Sequence, residues 1–180
     1  FGQGSAAITA TLASIFDAVD RHVAGHAQQP GIAGRIAPTR LLTLLTDGTD
    51  QIAAELALAR GHELVCPLPS GRRLNAIINC QVGEAAEARR LLSGGGAANG
   101  EIKARLAAME ALADRATLYE LGEQDDAIAA LMLASLDDPS DTAARTRFSA
   151  ECAARAAVAG GILIEQADLC LYRSKQAGRN

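Results

Sequence analysis

The chain has 180 residues, 49% of them hydrophobic, with a net charge of −4 and no Trp. That is apolar material for one substantial core built from Ala, Leu, Ile and Val, and hence for a single domain over residues 1–180. Scarce aromatics exclude a stacking platform for single-stranded nucleic acid, and the acidic balance excludes a broad phosphate-backbone surface. No apolar run reaches the roughly 20 residues needed to cross a bilayer, and the start lacks a charged and then apolar leader, so a cytoplasmic protein with neither nucleic-acid nor membrane partners is expected.

In chain order, Ser5 is placed to cap a first helix whose apolar positions Ile8, Leu12, Ile15, Phe16, Val19 and Val23 recur at helical spacing, and that face should pack on the sheet. His22 and His26 are four apart, the spacing of a helical metal pair. No glutamate lies between them and Gly25 weakens the helix there, so a surface pair is expected. Residues 25–38 supply glycine and proline breakers. Residues 40–46 read as a strand that can be buried on both faces, as parallel strands are. The loop Asp47, Gly48, Thr49, Asp50 follows. Asp50 can cap the next helix, Gly48 permits a sharp turn or close ligand approach, and Ile52, Ala53, Leu56 and Ala57 form one apolar stripe. Gly61 ends that helix and residues 62–66 start the next strand, with His62 at its opening and no catalytic partner in view.

After Arg72 the pattern weakens. Residues 83–92 read as a helix, 93–100 as a glycine-rich loop, 101–115 as a helix with Ile102, Leu106, Met109 and Ala113 on one face, and 117–121 as a strand. Residues 123–136 are again helical. Asp137, Asp138, Pro139 and Ser140 end that helix and start a long one running toward Gln166, after which residues 168–172 read as a strand, although periodicity also permits one amphipathic helix from Ile162 to about Gln176 with Ile164, Ala167 and Leu171 facing the core. Alternation of strands and helices implies an α/β fold, a three-layer Rossmann-like domain with a mainly parallel sheet and helices on both faces. Cys66, Cys80, Cys152 and Cys170 are widely spaced with no C-x-x-C pair. Cys66 and Cys170 fall in expected buried strands, where a thiol behaves as a small hydrophobe; packing is favoured over metal binding, and one disulfide stays open.

The strand, the loop Leu45, Thr46, Asp47, Gly48, Thr49, Asp50, Gln51, the alanine-rich helix and the strand end Cys66, Pro67, Leu68, Pro69, Ser70, Gly71, Arg72 resemble the SLOG superfamily. That Rossmann-like group includes LOG-type nucleotide phosphoribohydrolases and nucleotide-sensing domains, with an L-A-E-G-A-D-R-like loop and an L-P-F-P-R strand end. Thr49 stands where alanine is usual, Gln51 where arginine is, and Ser70 and Gly71 alter the motif before Arg72. The run 117–121 (TLYEL) and the segment from Gly160 to Leu171 match further pieces, in family order. The resemblance implies a first strand with a G-H-R-like loop and a terminal G-G-T-like phosphate loop, neither of which is in this sequence. It therefore implies a domain trimmed of those elements, or a member that binds nothing through them. A second resemblance is carried by Ala167, Asp168, Leu171, Tyr172, Lys175, Gly178, Arg179 and Asn180, which are similar to the A-D-x-x-L-Y-x-x-K-x-x-G-R-N ending of GGDEF diguanylate cyclase domains. The G-G-D-E-F signature itself and the upstream metal-binding segment do not occur.

The SLOG resemblance implies binding of a nucleotide or nucleotide-derived small molecule, as a sensor or regulatory module. The expected ligand-binding residues are Gly48, Thr49 and Asp50 in the first loop, Arg72 at the second strand end, and Asp168 opening the last strand. Plain structural roles compete at each: Asp50 and Asp168 as caps, Arg72 as a solvated arginine. Any bound phosphate is expected near residues 48–50 or Arg72. Two alternatives stand beside this reading. One is an N-glycosidic nucleotide hydrolase, whose P-G-G-x-G-T-x-x-E loop is absent from the sequence; the other is an inactive GGDEF-like domain. No catalytic residue, metal or cofactor is assigned, and a homo-oligomer is compatible with the sequence.

Overall fold

The structure is a computed structural model and describes residues 2–29 and 38–177. Its elements are helix α1 (Gly2–Ala27), strand β1 (Arg40–Leu42), α2 (Thr49–Ala59), β2 (Glu63–Leu68), α3 (Arg72–Asn79), α4 (Ala85–Leu92), α5 (Gly100–Ala113), β3 (Ala116–Glu120), a short 3₁₀ turn (Gly122–Gln124), α6 (Asp125–Asp137) and α7 (Thr142–Ala177). The three strands form one parallel sheet in the order β1-β2-β3. The protein is thus α/β, mostly helical, around a small parallel sheet. No helix among the described residues is long and apolar enough to cross a membrane.

β1 is shorter than its hydrophobic run because Thr43 turns the chain. Its hydroxyl accepts the Leu45 N–H at 3.1 Å and donates to Asp50 Oδ2 at 2.8 Å, and Leu45 takes φ 54°. This local bonding competes with the ladder. Leu45 still buries completely. β2, in contrast, runs on through Pro67. Val65 gives its carbonyl to Thr43 N–H on the β1 side, and Pro67 shares that parity, so its missing N–H faces a place where β1 has already turned away. Leu64, Cys66 and Leu68 project into the main core beside Ala54, Ile77, Leu91, Met109 and Leu112.

α2 ends in a Schellman arrangement, with Gly61 N–H on Leu58 O and His62 N–H on Ala57 O. Asn99 caps α5 through the N–H groups of Glu101 and Ile102, and Asp141 caps α7 through those of Ala143 and Ala144. The expected helices at 83–92, 101–115 and 123–136 and the strand at 117–121 are present within a residue or two.

Four expectations are corrected. Asp50 is not the cap of α2: Gly48 holds that position, and Asp50 lies inside the first turn. Ser5 does not start α1, which already runs from Gly2. The apolar positions of α1 pack chiefly on α2, with Leu41 of β1 at the margin of that cluster, and do not cover the sheet. Phe16 is buried, together with Ala53 and Ala57 of α2, whereas Ile8, Ile15 and Val19 are 40%, 53% and 38% exposed. Finally, residues 168–172 are not a strand, because α7 continues as one helix to Ala177. Extending a helix already formed costs little when Ala167, Leu169, Leu171, Arg173, Lys175 and Gln176 are good helix formers. Cys170 and Asp168 thus lie on a helix, and their side chains lie outside the described residues.

Candidate functional site

In a parallel sheet, the chain ends up offering its loops at the carboxyl edge of the strands. Here that edge carries the β1–α2 loop, the β2–α3 turn and the turn after β3. α3 lies across it. Its start meets the end of β3, where Arg72 N–H donates to Glu120 Oε2 at 2.6 Å, and its end meets the β1–α2 loop, where Asn79 Oδ1 accepts Asp47 N–H at 3.2 Å. Eight residues of helix rise about 12 Å, close to the roughly 10 Å that separates the outer strands of three. The helix was missed in the sequence, although Leu74, Ile77 and Ile78 at helical spacing are its signature.

The two helix starts at this edge differ. At α3, Gly71 N–H donates to both carboxylate oxygens of Asp125, at 3.1 and 3.0 Å, and Glu120 takes the next N–H. A Cβ at Gly71 would stand 2.4 Å from Asp125 Oδ2, so glycine is what lets the carboxylate sit there. The positive end of α3 is therefore already neutralised by two acids of the chain itself. The Arg72 guanidinium turns away, to Asp114 at 2.6 Å and the Glu110 carbonyl at 3.2 Å. Arg155 of α7 closes this corner through the carbonyls of Pro69, at 2.7 Å, and Leu121.

At α2 the start is open. Gly48 sits at φ 87°, ψ −115°, without a side-chain cap bond and with open space where a Cβ would point. Thr49 is exposed. Asp50 uses Oδ2 to accept from the Thr43 hydroxyl and from Thr46 N–H, at 2.8 and 3.3 Å, which leaves Oδ1 without a hydrogen bond from the described residues. Asp47 is held by the Gln81 amide at 2.8 Å. Of the expected ligand residues, the structure gathers Gly48, Thr49 and Asp50 in one turn, sends the Arg72 side chain elsewhere, and puts Asp168 on α7.

The thiols are poor nucleophiles. Burial, with a smaller contribution from the nearby Asp50 carboxylate, pushes Cys66 up to about 12, and burial again pushes Cys80 up to about 11. Cys66, Cys80 and Cys152 are free. A separate concavity of about 370 Å³ is lined by Gln81, Glu84, Glu87, Asn99, Ile102 and Arg105. Its Glu87 is already spent on the N–H groups of Ala98 and Asn99, at 2.8 and 3.4 Å, and on Arg90. His62, at the opposite edge of the sheet, pairs through Nε2 with Asp20 Oδ1 of α1 at 2.7 Å, and Arg60 reaches Asp17 at 2.9 Å. The partners are 42 and 43 positions away, which is why the sequence did not disclose them. This group holds α1 against α2. The rings of His22 and His26 meet edge to face at 4.5 Å, and no cluster of three metal-ligating side chains occurs among the described residues.

Comparison with protein-family models, curated proteins and solved structures gives no match for this chain.

Proposed function

We propose that the protein binds a nucleotide or nucleotide-derived small molecule at the carboxyl edge of its sheet, as a sensor or regulatory module. On this reading the fold is a three-layer Rossmann-like domain of SLOG type, with α2 and α5 on one face of the sheet and α7 against the other. The observation that carries the proposal is the asymmetry of the two helix starts: α3 is closed by Glu120 and Asp125, whereas α2 is open at Gly48 and Thr49 beside an acceptor, Asp50 Oδ1, suited to a ribose hydroxyl. The ligand then lies on the α2 side, and Arg72 is a structural tie to α5.

The test is a thermal-shift screen across ADP-ribose, cyclic nucleotides and nucleoside monophosphates, repeated with Thr49→Glu. A ligand at about 100 times its Kd stabilises by about 2.7 kcal/mol. The added carboxylate meets the positive end of the α2 dipole, worth about 0.3–1 kcal/mol in favour of the fold, so the variant stays folded. A shift in the wild type that is lost in Thr49→Glu supports the proposal; a shift retained in that variant places the ligand elsewhere, and no shift with any of these compounds removes it.

One observation favours a second reading, an inactive GGDEF-like domain that takes a guanine nucleotide or only a protein partner. α7 carries Ala167, Asp168, Leu171, Tyr172 and Lys175 in a continuous helix, as the cyclase-like ending requires. A continuous helix over 169–175 is what the cyclase-like ending calls for where the SLOG resemblance calls for a strand, so this part of the chain counts against the first reading. The first reading keeps its place on the parallel order of β1, β2 and β3 and the missing G-G-D-E-F signature alone. A shift with GTP or a cyclic guanine dinucleotide alone would reverse the order.

A further inference from the structure

α1 carries two apolar stripes, and the rest of the described chain covers one of them. Phe16 and Leu12 pack with Ala53 and Ala57 of α2, and the ties from Asp17 and Asp20 to Arg60 and His62 hold that docked side. Beside it, Ile8, Ile15 and Val19 stand exposed. A surface helix with a single partner turns polar residues to solvent, so a second apolar stripe calls for a second partner.

The spacing of the free stripe names the kind of partner. Ile8, Ile15 and His22 recur every seven residues, as do Leu12, Val19 and His26, and the two series alternate at intervals of four and three. That is the seam of a helix that packs along another helix. Its free flank is Thr11, Ala18 and Gly25, again seven apart, small and uncharged, so a second helix can come close. The Thr11 hydroxyl already donates to the Ala7 carbonyl at 3.0 Å, so covering it strands no donor. The charged residues of α1, Asp17, Asp20 and Arg21, stand one or two positions away from seam residues and therefore on other faces.

We infer that α1 is a self-association helix, whose free stripe pairs with the same stripe of a second copy of this chain in a reversible two-fold dimer. A two-fold interface needs a surface complementary to itself. From Ile8 to Val19 this one is apolar, has no charge for an identical copy to repel, and is spaced 4-3-4, which reads the same from either end. A charged partner would find no counter-charge on it. The 26 residues of α1 are about 39 Å long and about 11 Å across, so a copy laid along the helix covers about 430 Å² on each chain and about 900 Å² in all. That sits at the low end of specific interfaces, so the dimer is weak, with a Kd of about 10–100 µM. The dimer does not depend on nucleotide binding.

The experiment is sedimentation equilibrium of the wild type, Ile15→Glu, Ile8→Lys and Val158→Glu from about 5 to about 500 µM, a range that brackets the expected Kd. The melting temperature of each is measured at the lowest concentration. The expected result is that the wild-type mass rises with concentration from 18.6 kDa toward twice that value. Ile15→Glu and Ile8→Lys should stay at one chain and melt as the wild type does, because both side chains are already exposed in the single chain. Val158→Glu, at an exposed valine of α7, should dimerise as the wild type does. If Ile15→Glu fails to fold, Ile8→Lys decides. A wild type that stays at one chain throughout, association that persists in the folded α1 variants, or association lost in Val158→Glu overturns the inference.

Discussion

At the scale of single residues, the same side-chain types serve opposite ends depending on who reaches them. Asp50 and Asp125 are both first-turn acids at the carboxyl edge. Asp125 is fully engaged by Gly71, whereas Asp50 keeps an oxygen free. Thr49 is the better probe of the site than Gly48, since any side chain at φ 87° is strained by about 1–3 kcal/mol before a ligand is considered. The buried thiols give a pH dependence with a definite sign. Cys66 and Cys80 titrate near the ordinary thiol value of 9.0 when unfolded and at about 12 and about 11 when folded, so the unfolded chain loses these protons first as pH rises. Stability is full below pH 9 and falls above it, by about 1.4 kcal/mol per pH unit for each thiol. Urea titrations from pH 8 to 10.5 should show that slope, reduced by one thiol's share in Cys66→Ala. A flat profile would mean that the thiols are open to solvent.

Elements were legible in the sequence where a pattern is local and long, and illegible where partners are distant. β2 and β3, the end of α2 at Gly61 and the helical run of α5 follow from neighbouring residues. α3 escaped because eight residues flanked by Gly71 and Cys80 carry little more than two turns of pattern. The closing of its start by Asp125 spans 54 positions, beyond any local signal. The strand expected at 168–172 failed because its residues satisfy helical and alternating periods alike, and a helix already running from Thr142 decides between them. α1 was read correctly as a helix and wrongly as a sheet-covering one. Its hold on the body is Phe16 with Ala53 and Ala57, together with the ties from Arg60 and His62 to Asp17 and Asp20. Phe16→Ala should cost about 3 kcal/mol locally and speed hydrogen exchange throughout α1 while protection in β2 is kept. Loss of protection in both together would make α1 part of the cooperative core.

At the scale of the molecule, the sheet has one edge occupied by α3 and its two flanking loops, and that edge divides into a closed half near β3 and an open half near β1. The closed half is held by carboxylates and Arg155; the open half offers Gly48, Thr49 and Asp50. The parallel order of the strands could be foreseen from their alternation with helices, whereas the division of the edge could not, because it depends on side chains from β3 and α6 reaching a turn after β2. The measurement that tests the account most directly is backbone amide NMR of the protein titrated with AMP. The account predicts that the Thr49, Asp50 and Gln51 amides shift with one common affinity while Gly71 and Arg72 stay in place. Shifts concentrated at Gly71 and Arg72, or confined to the concavity around Glu84 and Arg105, would contradict it.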